Sequence, residues 1–217
     1  GLDSQILNAL QTDTIRAFNT NLIVGLTSGQ IRDLSTATLT ALTTSQVAAI
    51  ETGDIQALGS ESLAALSSNQ VLALRTAQIV ALTTQQIKDL STATLRALTT
   101  SQVAAIETGD IQVLGSESLA ALSSDQVRAL QSAQIFALTT NQINALGTAT
   151  VSVLKTGQLS ALTSTYLNAL TTEAVASLSS AQVTGLTTTQ VSGLDSQILN
   201  ALQTDTIRAF NTNLIVG

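Results

Sequence analysis

The residues of this 217-residue chain best suited to chemistry are a few scattered acids and one phenol. Asp54 and Glu61 lie seven apart and recur as Asp110 and Glu117. Two carboxylates brought together in that way are the minimum equipment for general acid and base work. All four stand at positions of free substitution in the repeat described below, so they read as solvated surface charge. Asp33 and Asp89 follow Arg32 and Lys88, with Arg16 and Arg96 within a coil or two. That setting predicts a local ion pair or a helix cap. It does not predict a Ca²⁺ ligand, because no Asp-rich glycine loop accompanies it. His and Cys are absent, which removes proton relays poised near neutral pH and thiolate nucleophiles. No glycine-rich phosphate loop occurs. Tyr166, Phe18, Phe136 and Phe210 are too few to build a stacking platform. The expected set of catalytic, cofactor-binding and metal-binding residues is therefore none, and no enzyme activity or cofactor is expected.

Composition narrows the partners. The net charge is −6, charged residues make up only 10%, and the two lysines, Lys88 and Lys155, lie far apart. A nucleic-acid partner needs a clustered basic footprint, and an anionic membrane surface needs the same. No run of about 18 apolar residues is present, so no membrane insertion is expected. Hydrophobic residues reach 44%, enough to bury a core and to argue against disorder.

The elements that would position any side chain come from one unit. From Leu2 onward a Leu, Ile or Phe recurs every eighth residue, as in Leu10, Phe18, Leu26, Leu34, Leu42 and Ile50. Residues 2–217 form 27 octads without a slip, a single continuous array over 1–217. Position 1 holds that large residue. Position 3 is Ser or Thr throughout, position 6 is Ile, Val or Leu, and position 8 is mostly Ala. Positions 2, 4 and 7 vary widely, and position 5 favours Gln. Restriction implies burial or capping, so positions 1, 3, 6 and 8 are expected to face inward or hold the backbone. Residues 33–84 nearly repeat at 89–140, seven octads on, and residues 1–25 recur at 193–217, twenty-four octads on. The second offset suggests a segment of a longer polypeptide with a 192-residue super-repeat.

Eight residues at 100° each overshoot two helical turns by 80°, so one continuous helix would spiral its apolar stripe out of the core. Short helices fit better. Ser or Thr at position 3 makes an N-cap, leaving positions 4 to 8 as about a turn and a half. In octads such as Leu42-Thr-Thr-Ser-Gln-Val-Ala-Ala49 the cap shifts to position 2. There Gln46 would complete a capping box, and Leu42 with Val47 a hydrophobic staple. The alternative is a parallel β-solenoid with a stacked Ser/Thr ladder, disfavoured by scarce turn residues and abundant Ala. One octad buries two aliphatic anchors at roughly 1.5–3 kcal/mol each, too little to order eight residues at about 1.5 kcal/mol apiece. Octads must therefore stack. The fold expected is all-α, a solenoid (superhelix) of short capped helices, one per octad.

The octads Leu98-Thr-Thr-Ser-Gln-Val-Ala-Ala105 and Leu138-Thr-Thr-Asn-Gln-Ile-Asn-Ala145 resemble tracts of very large secreted bacterial repeat proteins described as adhesins or haem-utilisation proteins. The resemblance implies an extracellular or cell-surface stalk or fibre. It brings no haem ligand set, since His, Met and Cys are absent and only Tyr166 remains. The functional expectation is a structural filament or stalk segment that self-associates. The alternative is an adhesin-type scaffold presenting variable positions to a protein, a glycan or the cell surface.

Overall fold

The computed structural model describes residues 3–208 and Phe210. Leu2, which opens the position-1 series, and residues 211–217, which close the second copy of the 25-residue segment, lie outside the described residues. Among those described, 26 helices of four to six residues run from α1 (Ser4–Ala9) to α26 (Thr204–Arg208), one per octad, and no strand occurs. The all-α solenoid forms and the β-solenoid alternative does not.

The start of α6 (Thr44–Ala49) explains why each octad makes its own helix. Thr43 is extended (φ −71°, ψ 162°) and its hydroxyl accepts from the Gln46 N–H, while the Gln46 carbonyl accepts from the Thr43 N–H at 2.7 Å. The cap is thus position 2, and the reciprocal box is completed by position 5. This corrects the expectation of a cap at position 3, which is instead the first helical residue. Position 2 tolerates variation because Gln does half of the capping alone. The Arg75 and Lys155 N–H groups donate to Gln78 and Gln158 at 2.8 and 2.7 Å although neither side chain is able to accept. Leu42 and Val47 flank the cap as the staple, and both are buried. The helix ends where Ile50 returns to extended backbone (φ −57°, ψ 129°). Successive helices are thus joined by extended residues at positions 1 and 2, without a left-handed glycine. The exception among the described residues is Gly147, at φ 65°.

The helices fall into two compact units, residues 1–113 and 114–217. In the first, the helices from α2 onward pack on the third one along, giving three columns, while α1 packs on α5. One holds α4 (Ser28–Arg32), α7 (Thr52–Ile55), α10 (Thr76–Val80) and α13 (Thr100–Ala104). A second holds α2 (Thr12–Arg16), α5 (Thr36–Ala41), α8 (Ser60–Ala64), α11 (Thr84–Lys88) and α14 (Thr108–Ile111). The third holds α3 (Thr20–Val24), α6, α9 (Ser68–Ala73) and α12 (Thr92–Ala97). The second unit repeats the rule, as in α17 (Ser132–Ala137), α20 (Thr156–Leu159), α23 (Ser180–Thr184) and α26, and in α19 (Gly147–Val151), α22 (Thr172–Ala176) and α25 (Ser196–Ala201). A coil is between three and four octads, because hydrogen bonds join successive coils at offsets of 25 to 31 residues. Positions 1 and 6 fill its interior, with Leu39, Val47, Ile55, Leu95, Leu138 and Leu159 at or near complete burial. That is the expected core.

Candidate functional site

The polar chemistry of this chain is concentrated between successive coils. Position 5 carries it, where the repeat favours Gln. Gln46, Gln70, Gln78, Gln86, Gln102, Gln158, Gln182 and Gln190 are all buried. A buried amide is costly unless its donors and acceptor are all matched. Here they are matched across coils. Gln78 Nε2 donates to the carbonyls of Val47 and Ile50 at 3.0 and 2.8 Å, 31 and 28 residues back. Gln46 does the same with Ile15 and Phe18, Gln70 with Leu39 and Leu42, and Gln190 with Leu159 and Leu162. One acceptor is the helical carbonyl at position 6, which also takes the N–H of the next position 1, and the other is the position-1 carbonyl just past the helix end. One side chain therefore caps the N-terminus of its own helix with its oxygen and helix ends in the preceding coil with its nitrogen.

At two octads where position 5 is not Gln, an Asn from a neighbouring coil makes comparable bonds. Asn8 Oδ1 accepts from the Ser35 N–H at 2.7 Å and from the Thr38 hydroxyl, and its Nδ2 donates to the Asp33 carbonyl. Asn168 makes the equivalent bonds to Asp195 and Gly193. Arg16 and Arg128, at the same position 7, donate to the carbonyls of Ala41 and Val153. Six of the eight basic residues stand at position 7 (Arg16, Arg32, Lys88, Arg96, Arg128 and Arg208), where a cation also complements the negative end of the helix dipole. The sparse charge thus serves helix ends.

The restricted positions 3 and 8 meet one another in the same seam, at an offset of 29 residues, and do not line the core. The Ser60 hydroxyl donates to Asp89 at 2.7 Å. A Cβ added to Gly185 would lie 2.8 Å from the Thr156 Cβ, and one on Gly193 would lie 2.5 Å from the Ser164 hydroxyl. Position 8 is small because position 3 lies beneath it.

The acids singled out from the sequence separate. Glu61 and Glu117 are exposed, while Asp54 and Asp110 are only 7% and 6% exposed, which corrects their reading as solvated charge. Asp54 and Glu61 also sit on different columns, on α7 and α8. Asp33 pairs with Arg32 at 3.2 Å, as expected. Asp89 accepts from Gln85 and Ser60, and these hydrogen bonds, the Gln85 bonds first, hold its carboxyl below the ordinary carboxylate range. Both aspartates are exposed and do not face inward. Tyr166 is half-buried and Phe136 is 55% exposed. Among the described residues no three acidic, His or Cys side chains come together as metal ligands, and no helix is long and apolar enough to cross a membrane.

No curated protein matches the chain. Residues 47–84, 103–140 and 167–196 match a family model described as the ALTTAQ repeat. The family match fits the octad seam, since each matched stretch spans more than one coil and carries buried Gln residues. The chain is a tandem-repeat protein in which three stretches carry the ALTTAQ repeat.

Proposed function

We propose that this chain is a structural segment of an extracellular or cell-surface filament or stalk, giving length and stiffness and associating with copies of itself. The observation that supports this most is the Gln seam. It joins coil to coil by the same pair of hydrogen bonds at Gln46, Gln70, Gln78 and Gln86 in one unit, and at Gln182 and Gln190 in the other. An array held in this way lengthens by adding interchangeable coils, as quasi-one-dimensional repeat proteins do.

An adhesin-type scaffold is the competing reading, and it calls for unusual residues gathered on one side. The seven-octad duplication copies the Glu51–Asp54 stretch on α7 as Glu107–Asp110 on α14 and keeps the octad register intact.

Negative-stain microscopy of the protein over a range of concentrations tests the reading. Fibres or bundles of uniform width are the expected result. Monodisperse particles at every concentration, together with saturable binding to a glycan or host-cell surface, would favour the scaffold instead.

A further inference from the structure

Residues 1–25 and 193–217 share one sequence but leave opposite faces open. In α1 to α3, Ile6 and Thr14 at position 5 are exposed, whereas Leu7 and Ile15 at position 6 are buried. In α25 and α26 the pattern inverts. Ile198 and Thr206 are buried, Leu199 is half-buried and Ile207 is 42% exposed. Position 5 therefore faces the coil before and position 6 the coil after, in agreement with the direction of the Gln bonds. Asn200 is exposed beside Leu199, whereas its counterpart Asn8 bonds to Ser35 and Thr38 of the coil after it. The two open faces are thus the two halves of one coil junction. This junction is also apolar. A large aliphatic stands at position 5 only at Ile6 and Leu22 and at their copies Ile198 and Leu214. Where the junction is closed, Ile198 lines one apolar cavity with Leu167 and Leu170, the residues 31 and 28 back that a Gln would reach, and with Val175 and Leu178. Apolar burial is non-directional, so such a junction closes without aligning an amide on two carbonyls.

We infer that copies of this chain join head to tail, with the Ile6 and Leu22 face of α1 to α3 in one copy docking on the Leu199 and Ile207 face of α25 and α26 in another. The inference rests on the filament reading and names its joint. Continuity with the coil junctions inside the chain selects a second copy as the occupant, since the same sequence is already seated on a preceding coil where α25 lies on α22. What seats a coil is its contacts with the neighbouring coil, as in other quasi-one-dimensional arrays, so a coil from another copy can take the same place. Two different faces meet, so the contact is heterologous and repeats from copy to copy. Its core is apolar, so association should persist at high salt, where surface ion pairs are screened.

Sedimentation velocity of the whole chain over a range of concentrations tests this. The wild-type protein should sediment as a concentration-dependent series. Ile6→Lys and Ile207→Glu change exposed residues, so each should keep the helical spectrum and sediment alone as a monomer. Mixed in equal amounts, the two should form a mixed dimer and nothing larger, because each retains the face that the other has lost. Ile198→Lys alters the same residue where the junction is closed and should lower the melting temperature. An unchanged melting temperature there would mean that this face needs no cover, and the inference would fall. Variants that assemble like the wild type would overturn the joint and leave side-by-side association to carry the filament reading. A mixture that stays monomeric would also overturn it. A wild-type chain that is monomeric throughout would end both the joint and the filament reading.

Discussion

Gln46 and Ile15, 31 residues apart, are joined through the Gln46 amide nitrogen and the Ile15 carbonyl at 2.7 Å. The same glutamine closes the cap of its own helix. A helix of five residues has almost no internal hydrogen bonding to sustain it, so this shared amide connects local structure to stacking. Losing it removes a helix start and a coil junction together.

Replacement of Gln78 by Ala should therefore cost far more than its surface area implies. The Arg75 N–H loses its acceptor, and the carbonyls of Val47 and Ile50 are left with only the Ile50 N–H and the Arg75 guanidinium as donors. At roughly 1–3 kcal/mol for an orphaned group, the expected loss is about 3 kcal/mol. Urea unfolding measures it, and amide exchange at Arg75 should accelerate. Unchanged protection of that amide would show that the seam carries no weight.

The small residues at position 8 should be intolerant only where position 3 presses on them. Gly185→Ala should lose about 1–3 kcal/mol by overpacking against Thr156, and Thr156→Gly should recover most of it. The position-4 changes Gly53→Ala and Gly109→Ala meet nothing within 4 Å and should gain about 0.5–1 kcal/mol from lower unfolded-chain entropy. A thermal-melt series over the four variants separates packing from propensity. Equal losses at Gly185 and Gly53 would contradict the offset-29 contact.

Gly147 should be the glycine held for its backbone. Its φ of 65° is left-handed, a conformation costing an L-residue with a Cβ roughly 1–2 kcal/mol. Gly147→Ala should lose about that much, and Gly147→Asn distinctly less, in denaturant titrations.

Acid should weaken the Ser60–Asp89 junction. The folded carboxyl of Asp89 lies below its ordinary value because Gln85, and then Ser60, donate to its charged form. Its contribution to stability is present above the unfolded carboxylate pKa and is lost as pH falls through the lowered folded value. An NMR titration should place its midpoint below that of an unstructured Asp, and Gln85→Ala should move it upward. The stability difference between wild type and Asp89→Asn should close at acid pH. A midpoint at or above the ordinary value would count against these hydrogen bonds.

Much of this architecture was legible in the octad itself. Eight-residue periodicity, two aliphatic anchors and a cap-competent hydroxyl specify one short helix per repeat, because each is a local property of the chain. The arrangement of Thr43 with Gln46 was readable as a capping box for the same reason. Its extension to octads whose position 2 cannot cap was hidden by the variability of that position, since Gln alone accepts the cap N–H at Arg75 and Lys155.

Coil length lay beyond local reading, and with it everything that depends on which octads touch. Only stacking at between three and four octads per coil brings Gln46 to Ile15, Asn8 to Thr38, or Thr156 beneath Gly185. The hexapeptide Ser-Gln-Ile-Leu-Asn-Ala makes the point without any change of sequence. In α1 its Ile6 is 47% exposed, whereas in α25, which lies on α22, the identical Ile198 is 4% exposed. Periodicity determines that a helix forms and which residues it offers. Burial and hydrogen-bond partnership are fixed by the coil beneath, a contact some 24 to 31 residues away that no octad encodes by itself.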